Sequence, residues 1–234
     1  MTKREVAKLI DNTLLKATAT RVEIVRFCEQ SLESHFAAVC LFPFWVPLAA
    51  EILADSDVKV CTPIGFPFGM NATAVKVMEA RNAVSQGARE IDVVINLGAL
   101  RSGEEALVVR DLEDVVKAVK LAGVTENGEE PIIKAILETC HLTDEEKRTA
   151  CQLAVKAGAG FVKTSTGFGP MGATVEDVRL LRRTVGKDIG VKAAGGIRNW
   201  EQAQALLNAG ATRLGTSHGL QILEEVPGEE SEEL

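Results

Sequence analysis

Only three histidines and no Cys-x-x-Cys pair occur in the 234-residue chain, and it has neither a basic excess nor a long hydrophobic run. His35 and His141 lie too far apart in sequence to suggest a ready-made zinc site. The five cysteines (Cys28, Cys40, Cys61, Cys140, Cys151) are odd in number, which points to free thiols in a reducing cytoplasm rather than a disulfide frame. Twenty-six Lys and Arg against 33 Asp and Glu give a net charge of −7, the wrong sign for a nucleic-acid partner. The longest uncharged apolar stretch, residues 36–50, carries Pro43 and Pro47 and is too short to span a bilayer. No signal-peptide run follows Lys3, Arg4 and Glu5. No Pro/Ser-rich linker divides the chain, so one domain is expected over residues 1–223. The acidic tail, residues 224–234, reads as solvated and disordered.

What is present is an alternation of short apolar runs with amphipathic stretches. Strands are predicted at residues 12–15, 37–41, 59–64, 91–95, 132–137, 161–164, 190–194 and 212–215. Helical patterns fall at 73–86, 104–121, 144–157, 174–185 and 200–209. Thr143-Asp144-Glu145-Glu146 reads as a capping box. Gly158 and Gly210 follow their helices at positions suited to a left-handed C-cap. Eight strands alternating with helices in under 250 residues favour a single-domain (β/α)8 TIM barrel. An open doubly wound sheet is the alternative, but its Gly-rich fingerprint after the first strand is missing.

Strand side chains alternate faces with a period of two. In the run 90–96, Ile91, Val93 and Ile95 form a uniform apolar set that should meet the helices, which turns Asp92, Val94 and Asn96 toward the barrel axis. The same parity turns Lys134 and Glu138, then Lys163 and Ser165, then Lys192 and Ala194 inward. Four consecutive strands therefore aim ionisable groups at one interior. A satisfied ion-pair network is one reading. Three lysines against Asp92 and Glu138 are unequal in count, however, and unbalanced buried charge is costly.

Chemistry is the other reading. A lysine amine can attack a carbonyl and form a Schiff base that acts as an electron sink. It must first lose its proton, and lowering a lysine pKa by about three units disfavours the ammonium by roughly 4 kcal/mol. Desolvation and a neighbouring ammonium supply shifts of that order. Asp92 is suited to passing protons to and from the carbinolamine. Gly195-Gly196-Ile197-Arg198 and Gly215-Thr216-Ser217-His218-Gly219 follow the last two strands, the usual phosphate-binding position of a barrel. Gly167-Phe168-Gly169-Pro170 can form a further wall of the same pocket.

At these residues the chain resembles the 2-deoxyribose-5-phosphate aldolases, a class I aldolase family. The likeness runs through Asp11-Asn12-Thr13-Leu14-Leu15-Lys16, Val39-Cys40, Gly65-Phe66-Pro67, Glu90-Ile91-Asp92-Val93-Val94 and Lys134-Ala135-Ile136-Leu137-Glu138-Thr139. It continues through Phe161-Val162-Lys163-Thr164-Ser165-Thr166-Gly167, Lys192-Ala193-Ala194-Gly195-Gly196-Ile197-Arg198 and Arg213-Leu214-Gly215-Thr216-Ser217. The resemblance implies a (β/α)8 barrel and reversible cleavage of 2-deoxy-D-ribose 5-phosphate to D-glyceraldehyde 3-phosphate and acetaldehyde, in deoxyribose phosphate catabolism. It implies no metal or organic cofactor, no nucleic-acid or membrane partner, and a homodimer or larger homo-oligomer. By the same resemblance Lys163 forms the Schiff base, Lys192 depresses its pKa and Asp92 relays protons. Backbone amides around Gly167, Gly195, Gly196 and Ser217 meet the phosphate, with Gly215 and His218 in the same turn. Thr13, Cys40, Lys134 and Thr164 line or support the pocket.

The chain departs from that pattern in two places. Some members end in a tyrosine that assists proton transfer, and this chain has no tyrosine, so Asp92, a water or another group must serve. The second serine of the family's Gly-Thr-Ser-Ser turn is here His218. It reads either as a loop residue whose backbone amide serves phosphate, or as a pH-dependent positive charge beside it. Cys40 has no evident base and does not read as a nucleophile. Two other functions fit less well: a different Schiff-base barrel with another aldehyde donor, and a phospho-sugar binder without catalysis.

Overall fold

The computed structural model of the chain describes residues 1–123 and 130–227. Its eight strands are all parallel and follow chain order around a closed barrel, with the first hydrogen-bonded to the last. They are β1 (Ile10–Leu14), β2 (Ala38–Leu41), β3 (Lys59–Ile64), β4 (Glu90–Val94), β5 (Ile132–Ile136), β6 (Phe161–Lys163), β7 (Gly190–Ala194) and β8 (Arg213–Thr216). A short α1 (Lys3–Ala7) leads into β1. The outer ring carries α2 (Arg21–Glu33), α3 (Val46–Ile52), α4 (Thr73–Ser85), α5 (Leu97–Arg101) and α6 (Glu105–Gly123). It closes with α7 (Asp144–Lys156), α8 (Val175–Val185), α9 (Trp200–Asn208) and α10 (Gly219–Glu225). Among the described residues no helix is long and apolar enough to cross a membrane.

The local signals act as their chemistry requires. Thr143 Oγ1 accepts the Glu146 N–H at 3.2 Å while the Glu146 carboxylate accepts the Thr143 N–H at 2.7 Å, a completed capping box at the start of α7. The apolar strand set Ile91, Val93 and Ile95 is fully buried in the layer between barrel and helices. A smaller apolar group, Ala38, Cys40 and Cys61, lies apart from that layer, on the inward face of β2 and β3.

The structure differs from the sequence expectation in three ways. β1 starts at Ile10 and β4 at Glu90, ahead of the expected starts at 12 and 91, and Asp11 and Glu90 are buried inward-facing charges. Asn96 and Glu138 lie past the ends of their strands and do not face the axis. Asn96 caps α5, its Oδ1 accepting the Ala99 N–H at 3.0 Å, and Glu138 turns to Thr166. The barrel also does not end at residue 223. α10 continues through Glu225, whose carboxylate accepts the Trp200 N–H at 2.8 Å, and Val226 is buried behind it. Residues 228–234 of the expected tail lie outside the described residues.

Candidate active site

Barrel closure brings seven ionisable side chains into one interior. Register sets Asp92 of β4 beside Lys134 of β5, and Lys163 of β6 beside Lys192 of β7. Closing β8 on β1 adds Asp11, and Glu90 and Arg213 complete the group from the inward faces of β4 and β8. Asp92 is the hub. Its Oδ2 accepts from Lys163 Nζ at 2.8 Å and from Lys192 Nζ at 2.7 Å, and its Oδ1 from Lys134 Nζ at 2.9 Å and the Cys61 thiol at 3.2 Å. Burial opposes ionisation of this carboxyl, but the ammoniums of Lys134, Lys163 and Lys192 outweigh it and hold Asp92 well below the usual carboxylate range.

The lysines are not equivalent. Lys134 contacts three carboxylates, Glu90 at 2.5 Å, Asp92 at 2.9 Å and Asp11 at 3.4 Å. Lys192 contacts two, Asp11 at 2.5 Å and Asp92 at 2.7 Å. For both, burial favours loss of the proton, but Asp11 and Asp92 reverse that and keep each ammonium above the ordinary lysine range. Lys163 contacts Asp92 alone. It is also the one lysine of the three on the wall of the open cavity at the C-terminal end of the barrel. Four cations (Lys134, Lys163, Lys192, Arg213) face three carboxylates (Asp11, Glu90, Asp92), so the interior carries one positive charge more than it pairs.

Glu138 is therefore not the second acid of this network; Asp11 and Glu90 are. The period-two rule reaches Glu90, which stands two residues before Asp92, whereas Asp11 lies just ahead of the first expected strand. Gly215 is required here, since a Cβ would come within 3.0 Å of Lys192 Cε and of the Ala194 Cβ.

The cavity above measures about 350 Å³ and is walled by Thr13, Lys163, the turn 166–168, the run 194–198 and the turn 215–218. Thr13 belongs to it, although its hydroxyl is donated back to the Asp11 carbonyl at 2.9 Å. Cys40, Lys134 and Thr164 are buried away from the wall, so of the two expected parts, lining or supporting the pocket, only the supporting one is open to them. Lys134 is enclosed by its carboxylates, and Thr164 Oγ1 clips β6 to β7 by accepting the Ala194 N–H at 3.1 Å. Cys40 faces Cys61. Burial and that neighbour push the Cys61 thiol well up, so it stays a donor to Asp92. Two clusters of metal-ligand atoms, Cys40–Cys61–Asp92 and Asp11–Cys61–Glu90, have their members within 4.8 Å of one another. The interior ammoniums already hold their carboxylates, so a cation would have to displace one.

At the rim the backbone matters more than side chains. The N–H groups of Gly167, Gly195, Gly196 and Ser217 make no hydrogen bond among the described residues, and all four residues line the cavity. Gly167, Gly195 and Gly196 have φ of 87°, 89° and 80°, a left-handed conformation that side chains resist. Arg198 lies beside them as a cation. The amide of His218 is not free, contrary to one sequence reading: it is donated to Thr216 Oγ1 at 2.9 Å. The His218 ring does reach the wall, with Nδ1 3.1 Å from Ser217 Oγ. One interior lysine within reach of an opening, beneath a ring of unspent amides with Arg198 beside it, suits a carbonyl compound that also carries an anionic group.

Comparison with known proteins agrees with this geometry. A family model described as DeoC/LacD family aldolase matches residues 6–225. The deoxyribose-phosphate aldolase of Caldanaerobacter subterraneus subsp. tengcongensis is 54% identical over 220 residues, covering 94% of this chain and 93% of the relative. Among solved structures, the aldolase QR15 is 44% identical with a TM-score of 0.86, covering 94% of this chain and 95% of the other. A tetrameric deoxyribose phosphate aldolase from Aeropyrum pernix is 32% identical with a TM-score of 0.87, covering 95% and 91%.

Proposed function

The chain belongs to the DeoC/LacD family of aldolases, and from that premise we propose that it cleaves 2-deoxy-D-ribose 5-phosphate through a Schiff base on Lys163. The reaction is a reversible carbon–carbon lyase step giving D-glyceraldehyde 3-phosphate and acetaldehyde, in deoxyribose phosphate catabolism. The observation that carries this reading is the inequality of the interior lysines. Lys134 and Lys192 are held as cations by several carboxylates each, whereas Lys163 has a single carboxylate partner and faces the cavity.

Lys163 loses its proton to water by way of Asp92 Oδ2, 2.8 Å away, which relays it, and the free electron pair of the amine attacks C1 of the open-chain sugar. The alkoxide formed takes a proton from the Asp92 side, and loss of water leaves a protonated imine. The C3 hydroxyl then gives up its proton, the C2–C3 bond breaks, and its electron pair moves into the imine to form an enamine. Glyceraldehyde 3-phosphate departs. Protonation at C2 and hydrolysis release acetaldehyde and restore the amine. Every electron pair comes from the substrate, from Lys163 or, in the closing hydrolysis, from water, so the scheme calls on no metal or organic cofactor. Lys192 remains the fixed cation of the pair, and Asp92 with a bound water covers the proton transfers that a tyrosine performs in some relatives.

The phosphate is met by the amides of Gly167, Gly195, Gly196 and Ser217, with Arg198 adding charge. A homodimer or larger homo-oligomer is the proposed assembly, and the tetrameric Aeropyrum pernix relative supports self-association. The test is intact and peptide mass after incubation with acetaldehyde and borohydride. An ethyl adduct on Lys163 that vanishes in Lys163→Ala is the expected result. A folded protein left unmodified at Lys163 would refute the mechanism and favour a phospho-sugar binder.

A further inference from the structure

Glu138 is a nearly buried carboxylate that the proposed reaction does not use. Among the described residues it has no ion-pair partner, which for stability alone is an unfavourable choice. It occupies a left-handed conformation, φ 50° and ψ 62°, uncommon outside glycine. The backbone around it is fixed to β6, with the Leu137 N–H donated to the Lys163 carbonyl and the Thr139 N–H to the Thr164 carbonyl, both at 2.9 Å.

Thr166 takes both oxygens of the carboxylate, and the only other side chain that reaches it among the described residues is the Cys140 thiol, a long donor to Oε1 at 3.9 Å. Oε1 accepts the Thr166 N–H at 3.2 Å, and Oε2 accepts the Thr166 hydroxyl in a close contact. A carboxylate can only accept, so the hydroxyl proton must point at it. The Thr166 oxygen is then free to accept, and it takes the Phe168 N–H at 3.0 Å. Amides 166 and 168 are thereby used up on either side of Gly167, whose N–H remains for the cavity.

The opposite wall carries the same device. Thr216 Oγ1 accepts the His218 N–H at 2.9 Å and donates to the Ile197 carbonyl at 2.6 Å, leaving Ser217 with the free amide. There the hydroxyl is oriented by a backbone carbonyl. In the turn after β6 that work falls to a side chain.

We propose that Glu138 is a positioning residue for phosphate recognition: acting through Thr166, it sets the turn so that Gly167 N–H is aimed at the substrate phosphate. The proposal rests on the phospho-sugar reading above. Glutamine keeps the shape of Glu138 but can offer Thr166 a donor, which lets the hydroxyl turn and releases Phe168. The test is kcat and KM for 2-deoxyribose 5-phosphate and for 2-deoxyribose in wild type and Glu138→Gln, with borohydride trapping of acetaldehyde alongside.

The expected result is about a tenfold fall in the preference for the phosphorylated sugar, the scale of one hydrogen bond to a charged group, carried by KM. Values for 2-deoxyribose and the trapping yield should stay as in wild type. Thr166→Val should lower the preference in the same way, and it decides the matter if Glu138→Gln fails to fold. A preference that survives intact in both variants overturns the proposal while leaving the phospho-sugar reading standing. Equal losses on both sugars and on trapping overturn it too, since they assign Glu138 a purely structural part. A wild-type enzyme indifferent to the phosphate overturns the phospho-sugar reading, and this proposal with it.

Discussion

Two groups of buried charge stand a few residues apart in this molecule and do different work. On the outside of the barrel, Lys76 of α4 donates to Asp111 of α6 at 2.7 Å and to the Val94 carbonyl at 3.0 Å, while Thr73 caps the other carboxylate oxygen at 2.7 Å. That pair is balanced one to one, and neither residue lines the cavity at the C-terminal end of the barrel. Inside the barrel, four cations face three carboxylates and one of the cations opens onto that cavity. Lys76 and Lys192 are equally buried, at 0% exposure, so burial does not separate the clusters. A buried lysine is a structural strut when its partners match it. Under the proposed mechanism it becomes a reagent where the count is uneven and a substrate can reach it.

The comparison is broken most directly at its hubs. Asp92→Asn should lower kcat/KM by roughly 10³-fold, the range of a lost proton-transfer group, with a folded circular dichroism spectrum. A variant within tenfold of wild type would remove Asp92 from the proton relay. Lys76→Met strands Asp111 and should cost about 3–5 kcal/mol in chemical denaturation while kcat of the folded enzyme holds. Adding Asp111→Leu should recover most of that stability, because a well-packed apolar pair commonly matches a buried ion pair. A fall in kcat parallel to stability would mean that the two clusters are one functional unit.

Smaller perturbations sharpen the contrast. Gly215→Ala forces a methyl against Lys192 Cε and Ala194 and should cost ~1–3 kcal/mol, with an accompanying loss of trapping rate if Lys192 is displaced. Unchanged trapping would show that the ammonium position tolerates the shift. Melting temperature against pH tests the interior charges. Asp92 has a lowered folded pKa, so its contribution is present above the unfolded value of about 3.9 and is lost as pH falls through the folded one. Lys192 has a raised folded pKa, so its contribution is complete below about 10.4 and is lost as pH rises through the folded one. Asp92 and Lys192 should therefore add no slope between about pH 5 and 9. Asp92→Asn should flatten the acid limb relative to wild type, and an identical limb would count against the assignment. The smallest effect is at His218. Its ring stands on the cavity wall beside Ser217, and His218→Ser should raise KM for the phosphorylated sugar by roughly threefold, with an unchanged KM removing the ring from substrate binding.

Much of the barrel was legible because its code is local. Alternation at Ile91, Val93 and Ile95, the capping box at Thr143 and the glycines after α7 and α9 each depend on residues close in the chain. Parity alone also pointed Asp92, Lys134, Lys163 and Lys192 inward. It failed at Asn96 and Glu138, where the strands had already ended and the period no longer applied. It passed over Asp11 and Glu90 because the expected strands, at 12–15 and 91–95, began one residue after each.

What the sequence by itself determined was the kind of fold, the inward lysines and the chemistry an amine in that setting can perform. Only the tertiary structure decided the balance of charge and the free amides of the rim. Asp11 and Lys192 are 181 residues apart and meet because β1 closes on β8. Ser217 keeps its amide for the cavity because Thr216 takes that of His218. Strand period is set by neighbours along the chain. Which charges pair, and which donors stay unpaired, is set by register across strands, and a closed barrel fixes that register only when all eight are in place.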